Sequence, residues 1–408
     1  MKSFFKVKSL EQVMEQVPGF DCLGSESVPV SESVGRILAQ DLVAQKDLPG
    51  FRRSTMDGFA VAAASTFGAS ESSPAWLEIS GTIGMGDIPD FELMPGKAAR
   101  ISTGGMLPKG ADSVIMVEHT QLVDDLSVEI FKSVAPLQHV IDVSEDFARH
   151  DRILTQGSLI RPQEAGLAAG LGFEVLELYR TPRVGIISTG DEVVPVHAEP
   201  NPGQIRDINS YALAGFVEQA GARAVAYGIV PDDPDQLRAV CETALTQTDM
   251  VLISGGSSVG SRDYTVEVLQ SLPDTRILVH GISLSPGKPT ILARSGRVPV
   301  FGLPGQVTSA MVVFQIVVTP FLNRLKGDLQ LNRQTRIPAV LSRNIASAQG
   351  RTDYVRVSLT KDTKGYIAEP VLGKSGLIRT MVMADGLVEI PENTEGYEKG
   401  TLVDVILI

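Results

Sequence analysis

The chain has 408 residues, 43% hydrophobic and 21% charged, a balance that excludes a disordered, tail-like protein. At about 100–200 residues per domain, this length holds two to four domains. Lys+Arg 36 against Asp+Glu 48 leaves a net charge of −12, so no nucleic-acid groove is expected, and any anion site must be built locally from a few cations and backbone N–H groups.

The first residues, MKSFFKVKSLEQ, carry lysines but no apolar h-region, so no signal peptide is read. Ser9 and Gln12 have capping-box spacing, and Leu10, Val13, Met14 and Val17 share one helical face before Pro18. A second helix is expected from Ser31 through Val34, Ile37 and Leu38. After the turn-rich break Asp47-Leu-Pro-Gly-Phe51, short β-type runs alternate with Gly and Pro: Trp76–Ile83, Ala98–Ser102, Ser113–Glu118 and Ser127–Ser133. A helical pattern returns around Pro162–Gly170. This pattern predicts a discontinuous helical N-terminal domain, residues 1–50 and 143–180, with a small β domain, 51–142, inserted into it.

Residues 181–328 alternate strand and helix. Val184–Ile187, Ala224–Val230, Met250–Ile253, Ile277–Ile282 and Val300–Phe301 read as strands. The apolar spacings at Leu213–Ala220, Leu237–Ala244 and Tyr264–Leu269 read as helices. All-apolar strands joined by helices imply a three-layer α/β/α domain with a mostly parallel sheet. Ala310–Leu322 is the most apolar stretch; with Gln315 and Pro320 inside it, it reads as a buried helix too short to span a bilayer. Strand-length runs at Ile337–Leu341, Tyr354–Leu359, Gly386–Ile390 and Leu402–Leu407 predict a β barrel or sandwich over 329–408. The two cysteines, Cys22 and Cys241, have no CxxC spacing, which excludes a disulfide scaffold and favours a reducing cytoplasm. Cys241 and Met250 read as core residues. Five scattered histidines without an HExxH argue against a zinc hydrolase.

In a parallel sheet, ligands bind beyond the carboxyl ends of the strands. Five polar, Gly-bearing or Pro-bearing segments fall there: Ser188-Thr-Gly-Asp-Glu192, Pro231-Asp-Asp-Pro234, Ser254-Gly-Gly-Ser-Ser-Val-Gly260, Ser285-Pro-Gly-Lys-Pro289 and Gly302-Leu-Pro-Gly305. Glycines let backbone N–H groups approach phosphate oxygens, and helices starting there add a favourable dipole. The carboxylates Asp191, Glu192, Asp232 and Asp263 would repel those phosphates unless Mg²⁺ lies between them. Each segment also has a plainer reading as a turn, and Asp232-Asp233 alone reads better as a helix start. A Walker A loop at 281–290 is excluded by its spacing and by Pro289. Gly256-Ser-Ser-Val-Gly260 matches a nucleophile elbow, with Ser258, Asp263 and His280 in triad order. Asp263 follows the serine too closely for a triad acid, so a hydrolase is the weaker rival.

Together with Ser54-Thr-Met-Asp-Gly-Phe-Ala-Val61, Ser102-Thr-Gly-Gly105 and the closing Asp385-Gly-Leu-Val-Glu-Ile-Pro391, these segments give the chain an order of motifs that resembles the molybdopterin molybdenumtransferases. That family includes bacterial MoeA and the E domains of animal gephyrin and its plant counterpart. The resemblance implies insertion of molybdate into adenylylated molybdopterin, with Mg²⁺-dependent release of AMP. It implies a homodimer whose site joins the α/β domain of one subunit to other domains of its partner, contact with the molybdopterin adenylyltransferase, and neither a nucleic-acid nor a membrane partner.

By motif position, the resemblance marks Asp57, Thr103, Asp146 and Glu192 as catalytic. The expected metal ligands are the carboxylates Asp191, Glu192, Asp232 and Asp263 of the sheet edge, of which Glu192, Asp232 and Asp263 also match family positions. Substrate-binding positions are Ser188, Thr189, Gly190, Ser254, Gly255, Gly256, Ser257, Gly260, Pro286, Gly287, Lys288, Pro304 and Gly305, with Arg356 and Ser375 in the last domain. The departures all touch the anion region: Ser285 stands where many members have Lys, His280 near another common Lys, Gln306 and Val307 replace Asn-Pro, and Arg52-Arg53 replaces Asp-Asn. They leave tungstate as an alternative oxyanion. Adenylyl transfer and a non-catalytic scaffold role are the alternative functions.

Overall fold

A computed structural model gives the structure of residues 7–255, 264–328 and 334–408. The chain divides into two compact units, Gln40–Gln156 with Pro162–Val175, and Met1–Ala39 with Gly157–Arg161 and Leu176–Ile408.

The first of these units is built on a six-stranded sheet. Its strands are β1 (Gly58–Val61), β2 (Ala75–Ile83), β3 (Lys97–Ile101), β4 (Ser113–Met116), β5 (Thr120–Asp124) and β6 (Ser127–Ile130), in the order β4-β1-β3-β2-β6-β5. Successive residues of β1 feed two cores, as period-2 alternation requires. Phe59 and Val61 pack with Leu77 and Val128, whereas Ala60 packs with Ile83 and Val114. Gly58 is obligatory here, because a Cβ would lie 1.9 Å from the Ile115 carbonyl oxygen. The helix expected at 162–170 is present as Pro162–Gly170.

The N-terminal segment is less helical than its apolar spacing implies. Ser9 forms the expected capping box with Gln12, but the helix, α1, covers only Leu10–Met14. No second helix forms at Ser31–Leu38. A 3₁₀ turn, Val30–Glu32, is capped by Ser33 and followed by Gly35 at φ 84°, after which Ile37 and Leu38 enter β bridges with Leu159 and Leu178. Their spacing serves burial in an extended segment, since Val34 is half exposed while Ile37 and Leu38 are buried.

The α/β sheet contains β7 (Arg183–Thr189), β8 (Arg223–Val230), β9 (Met250–Ser254), β10 (Thr275–His280), β11 (Ile291–Ser295) and β12 (Val298–Leu303), ordered β8-β7-β9-β12-β11-β10. β8, β7, β9 and β12 pair in parallel. β11, absent from the sequence reading, runs antiparallel to both neighbours and so returns β10 to the common direction. Neighbouring residues on these strands face opposite layers. Ile186 and Leu252 join helix Asn209–Gln219 and segment 307–325, whereas Ile187 and Ile253 join helices Pro234–Gln247 and Tyr264–Ser271. This is the expected three-layer arrangement.

The apolar segment is longer than its sequence reading. It runs helically from Val307 to Leu325, with a π turn at Phe314–Val318, and meets the length and composition of a membrane span. Burial decides its role: 72% of it lies inside the fold, with Phe314 and Phe321 in the core. The C-terminal strands are β13 (Arg336–Leu341), β14 (Thr352–Asp362), β15 (Gly365–Pro370), β16 (Gly386–Ile390) and β17 (Leu402–Leu407). β14 pairs with both β15 and β16, closing a five-strand barrel rather than leaving a sandwich. Leu284–Ser285 adds to this barrel, pairing in parallel with Thr352 and Asp353. The chain is thus a multidomain α/β plus β protein.

Candidate functional site

The carboxyl ends of the parallel strands meet as their direction requires. Ser188 and Thr189 end β7 and are buried; the Ser188 hydroxyl lies 3.0 Å from that of Ser210. Gly255, just past β9, has φ +115°, and a Cβ there would stand 2.4 Å from the Thr189 carbonyl oxygen. The backbones of two strand ends therefore touch, and only glycine permits it. Asn209 ties a third strand in, its Nδ2 donating to Ser254 Oγ at 2.7 Å and to the Gly305 carbonyl at 2.9 Å. Sequence reading missed Asn209 because only the apolar face of its helix was used to find that helix.

Above this floor lies a cleft of about 1040 Å³. Of the expected binding residues, Ser188, Thr189, Ser254, Gly255, Pro286 and Gly287 line it, as do Lys288, Pro304, Gly305 and Ser375, together with Glu192. Gly190, Asp191, Asp232 and Arg356 do not line it. Gly256, Ser257, Ser258, Gly260 and Asp263 lie outside the described residues. Lys288 is exposed and makes no ion pair or side-chain hydrogen bond among the described residues, while its own carbonyl accepts from Ile282 N–H at 2.9 Å. Gly287, at φ +131°, has no room for a Cβ, which would meet Val313 at 2.4 Å. The loop is therefore fixed, and its lysine side chain extends from it without a partner among the described residues.

The acidic groups gather at the rim. Asp191 Oδ1 accepts from the Asp232 N–H at 3.1 Å. Crowding that strips water from the Asp232 carboxyl, and then the nearby Asp191 and Glu192 charges, push its pKa above the usual carboxylate range. Asp233, not Asp232, starts the following helix, accepting from Asp235 and Gln236 N–H at 2.9 and 3.1 Å. Among the described residues, no three acidic, His or Cys side chains are placed to share one ion. Mg²⁺ asks for less, being held by one or two carboxylates with waters and ligand phosphates. The mutual repulsion of Asp191, Glu192 and Asp232 fits such a cation.

In the barrel, Ser375 donates its hydroxyl to Gln306 Oε1, so the Gln at this departure is used to hold the cleft wall. Arg356 is buried and bonded elsewhere through its two terminal nitrogens, its Nε having no hydrogen-bond partner among the described residues. It donates to Thr380 Oγ1 at 3.1 Å and to the Gly373 carbonyl at 3.1 Å, so it supports the turn before Ser375 instead of facing the cleft. Burial pushes its pKa down. Arg206 and Arg351, which the sequence reading did not single out, do line the cleft.

The other unit carries its own concave site of about 450 Å³, lined by Asp57 with Phe59, Thr82, Arg100 and Ser102. Asp57 Oδ1 accepts from Thr103 N–H at 2.7 Å, which joins two expected catalytic positions. Asp146 lines neither cavity; its N–H donates to the Leu48 carbonyl at 3.1 Å. Arg52 is paired with Asp142 at 2.7 Å, so that added charge is neutralised locally.

Three family profiles match the chain in order: the MoeA N-terminal region, domains I and II, at 7–172; a probable molybdopterin binding domain at 185–324; and the MoeA C-terminal region, domain IV, at 338–408. A Methanocaldococcus jannaschii protein named for molybdopterin biosynthesis is 38% identical over 398 residues, covering 94% of this chain and 92% of its own. The molybdopterin molybdenumtransferase of Bacillus subtilis is 30% identical, covering 98% and 94%. A crystal structure of the molybdopterin biosynthesis MoeA protein from Pyrococcus horikoshii superposes with a TM-score of 0.84 at 37% identity, covering 98% of this chain and 99% of that one.

Proposed function

The chain belongs to the MoeA family of molybdopterin biosynthesis proteins, and from that premise we propose that it is a molybdopterin molybdenumtransferase, inserting molybdate into adenylylated molybdopterin with release of AMP. One observation carries the reading: a glycine floor, the Glu192 carboxylate and a Lys288 without an ion-pair partner among the described residues meet in a single cleft large enough for a pterin nucleotide. Backbone approach at Gly305 suits a phosphate because glycine adds no side chain there, while the Gly255 N–H is used within the floor, donating to the Leu303 carbonyl at 3.3 Å. Lys288 then sits where negative charge develops as the phosphoanhydride opens. Glu192 and Asp232, flanked by Asp191, would hold Mg²⁺, which when bound neutralises the phosphate oxygens and favours departure of AMP.

Asp57 is assigned to orienting the attacking water or the entering oxyanion, and its hydrogen bond from Thr103 N–H holds the carboxylate in place. The reading also takes the protein to act as a homodimer that receives its substrate from the molybdopterin adenylyltransferase. It keeps tungstate as an alternative oxyanion because the departures at Ser285, His280, Gln306 and Val307 surround the anion region.

The test is incubation of purified protein with adenylylated molybdopterin, Mg²⁺ and either molybdate or tungstate, following AMP. Release that depends on the oxyanion is expected. AMP incorporated from ATP would point to adenylyl transfer, and binding without turnover to a scaffold. Asp57→Asn should retain ligand binding and lose turnover; unchanged turnover removes Asp57 from the mechanism.

A further inference from the structure

The six-stranded sheet of the inserted β domain is curled. Its two edge strands, β4 and β5, are joined by the short turn Val117–His119. The chain from Met116 to Thr120 reaches about 14 Å at most, whereas a flat sheet of that size would hold its edges about 24 Å apart. The strands therefore wrap round, and Ile115 of β4 meets Ile130 of β6 in one core with Phe59 and Leu77. Arg100 stands at one end of that interior. It pairs with Phe59 on β1 and with Thr82 on β2, and residues paired directly across strands share a face. Arg100, Thr82 and Ser102, just past the strand, line the concave site of about 450 Å³ together with Asp57.

Arg100 is half-buried, yet its guanidinium makes no ion pair or hydrogen bond among the described residues. Holding a cation partly out of water beside the buried Phe59 costs free energy, and an anionic ligand would offset that cost. Asp57 does not supply the counter-charge. It lines the same site but forms no ion pair with Arg100, and its Oδ1 is held by Thr103 N–H at 2.7 Å. What the site offers instead is donors: the N–H fork of the guanidinium and the hydroxyls of Thr82 and Ser102, neither of which has a side-chain partner among the described residues. A planar fork beside hydroxyls suits a tetrahedral oxyanion.

We propose that Arg100, with Thr82 and Ser102, forms a separate anion site at the mouth of the curled sheet, which takes a tetrahedral oxyanion and presents it to Asp57. This rests on the function proposed above and deepens it, because the oxyanion that Asp57 orients gains a cation to hold it. Asp57 at the same mouth keeps that hold from becoming tight, as delivery to a reaction requires. The same chemistry serves free molybdate and a phosphate of the nucleotide, and the test separates the two.

Phenylglyoxal, which modifies accessible guanidinium groups, tests this on the full chain, with Arg100 followed by mass mapping of its peptide. Arg100 should react in the free chain. Saturating molybdate should slow that reaction about tenfold or more if the free ion is the ligand, and AMP should do so if the phosphate is. An Arg100 that does not react in the free chain, or that reacts at one rate with and without either ligand, would overturn the proposal. Turnover gives a second readout. Arg100→Gln should raise the KM for the substrate that carries the oxyanion about tenfold and leave the other KM unchanged. Arg100→Lys, which keeps the charge without the fork, should restore only part of the loss. Wild-type KM values for both substrates in Arg100→Gln, with AMP release still dependent on the oxyanion, would overturn the proposal and leave the functional reading standing. Protection of Arg100 in a chain that releases no AMP would overturn the functional reading and leave the anion site.

Discussion

Asp232 shows how a single side chain can record what a site is for. Its folded pKa is raised, so the native state holds its proton to higher pH than the unfolded chain does. Between the two values the native state binds more protons, and stability falls as pH rises through that window. Above it, the ionised carboxylate faces Asp191 and Glu192 at a cost. Asp232→Asn should therefore raise the melting temperature at about pH 8, and the difference should vanish well below the ordinary carboxylate range, where Asp232 is protonated in both the folded and the unfolded chain. Added Mg²⁺ should stabilise the wild type at the higher pH and the variant less. Thermal melts across pH, with and without Mg²⁺, check both outcomes; a variant less stable at neutral pH would contradict the repulsion. Residues of this kind were legible in the sequence because a loop after a parallel strand can point to only one sheet edge. Arg351 and Asn209 were not. Arg351 enters the cleft through a strand pairing with a remote loop, and Asn209 through bonds to two other strand ends. Motif position put Arg356 at the ligand, yet its terminal nitrogens donate to Thr380 and Gly373, a fact that depends on tertiary burial.

At the scale of elements, the all-apolar strands of the α/β sheet were readable because burial on both faces removes polar alternation. The N-terminal helix at Ser31–Leu38 was misread for the opposite reason: a few apolar residues fit either period, and Gly35 tips the choice to extended chain. The layers make a mechanical prediction. Phe301 is fully buried in β12 and meets Phe321 edge-on at 5.2 Å, in the layer opposite Cys241. Phe301→Ala should cost about 3–5 kcal/mol. The cysteines supply the readout. Cys22 is half-buried and should react readily with a thiol reagent, whereas the buried Cys241, its pKa pushed up by desolvation, should be protected. If the sheet opens cooperatively, Phe301→Ala should speed labelling of Cys241 by about a hundredfold or more and leave Cys22 unchanged. An unaltered Cys241 rate would mean that the two faces of the sheet open independently.

At the scale of the whole molecule, the expected catalytic groups belong to two different compact units. Glu192 and Lys288 line the cleft of one, and Asp57 lines the smaller cavity of the other. The homodimer proposed for this family member would let each working site draw one unit from each subunit, and a closed twofold pair then contains two such sites. Subunit mixing distinguishes that arrangement from a site within one chain. One subunit carries Asp57→Asn and the other Glu192→Gln, with different affinity tags so that only mixed dimers are recovered. Each homodimeric variant should be inactive in oxyanion-dependent AMP release. In the mixed dimer, shared sites sort both lesions into one of the two sites and leave the other intact, so activity should return to about half of the wild-type value. Sites confined to single chains would each keep one lesion, and the mixed dimer would be as inactive as its parents. Because Asp57 and Glu192 are both exposed and neither belongs to a hydrophobic core, the two variants should fold normally, and the activity of the mixture reports where the site is assembled.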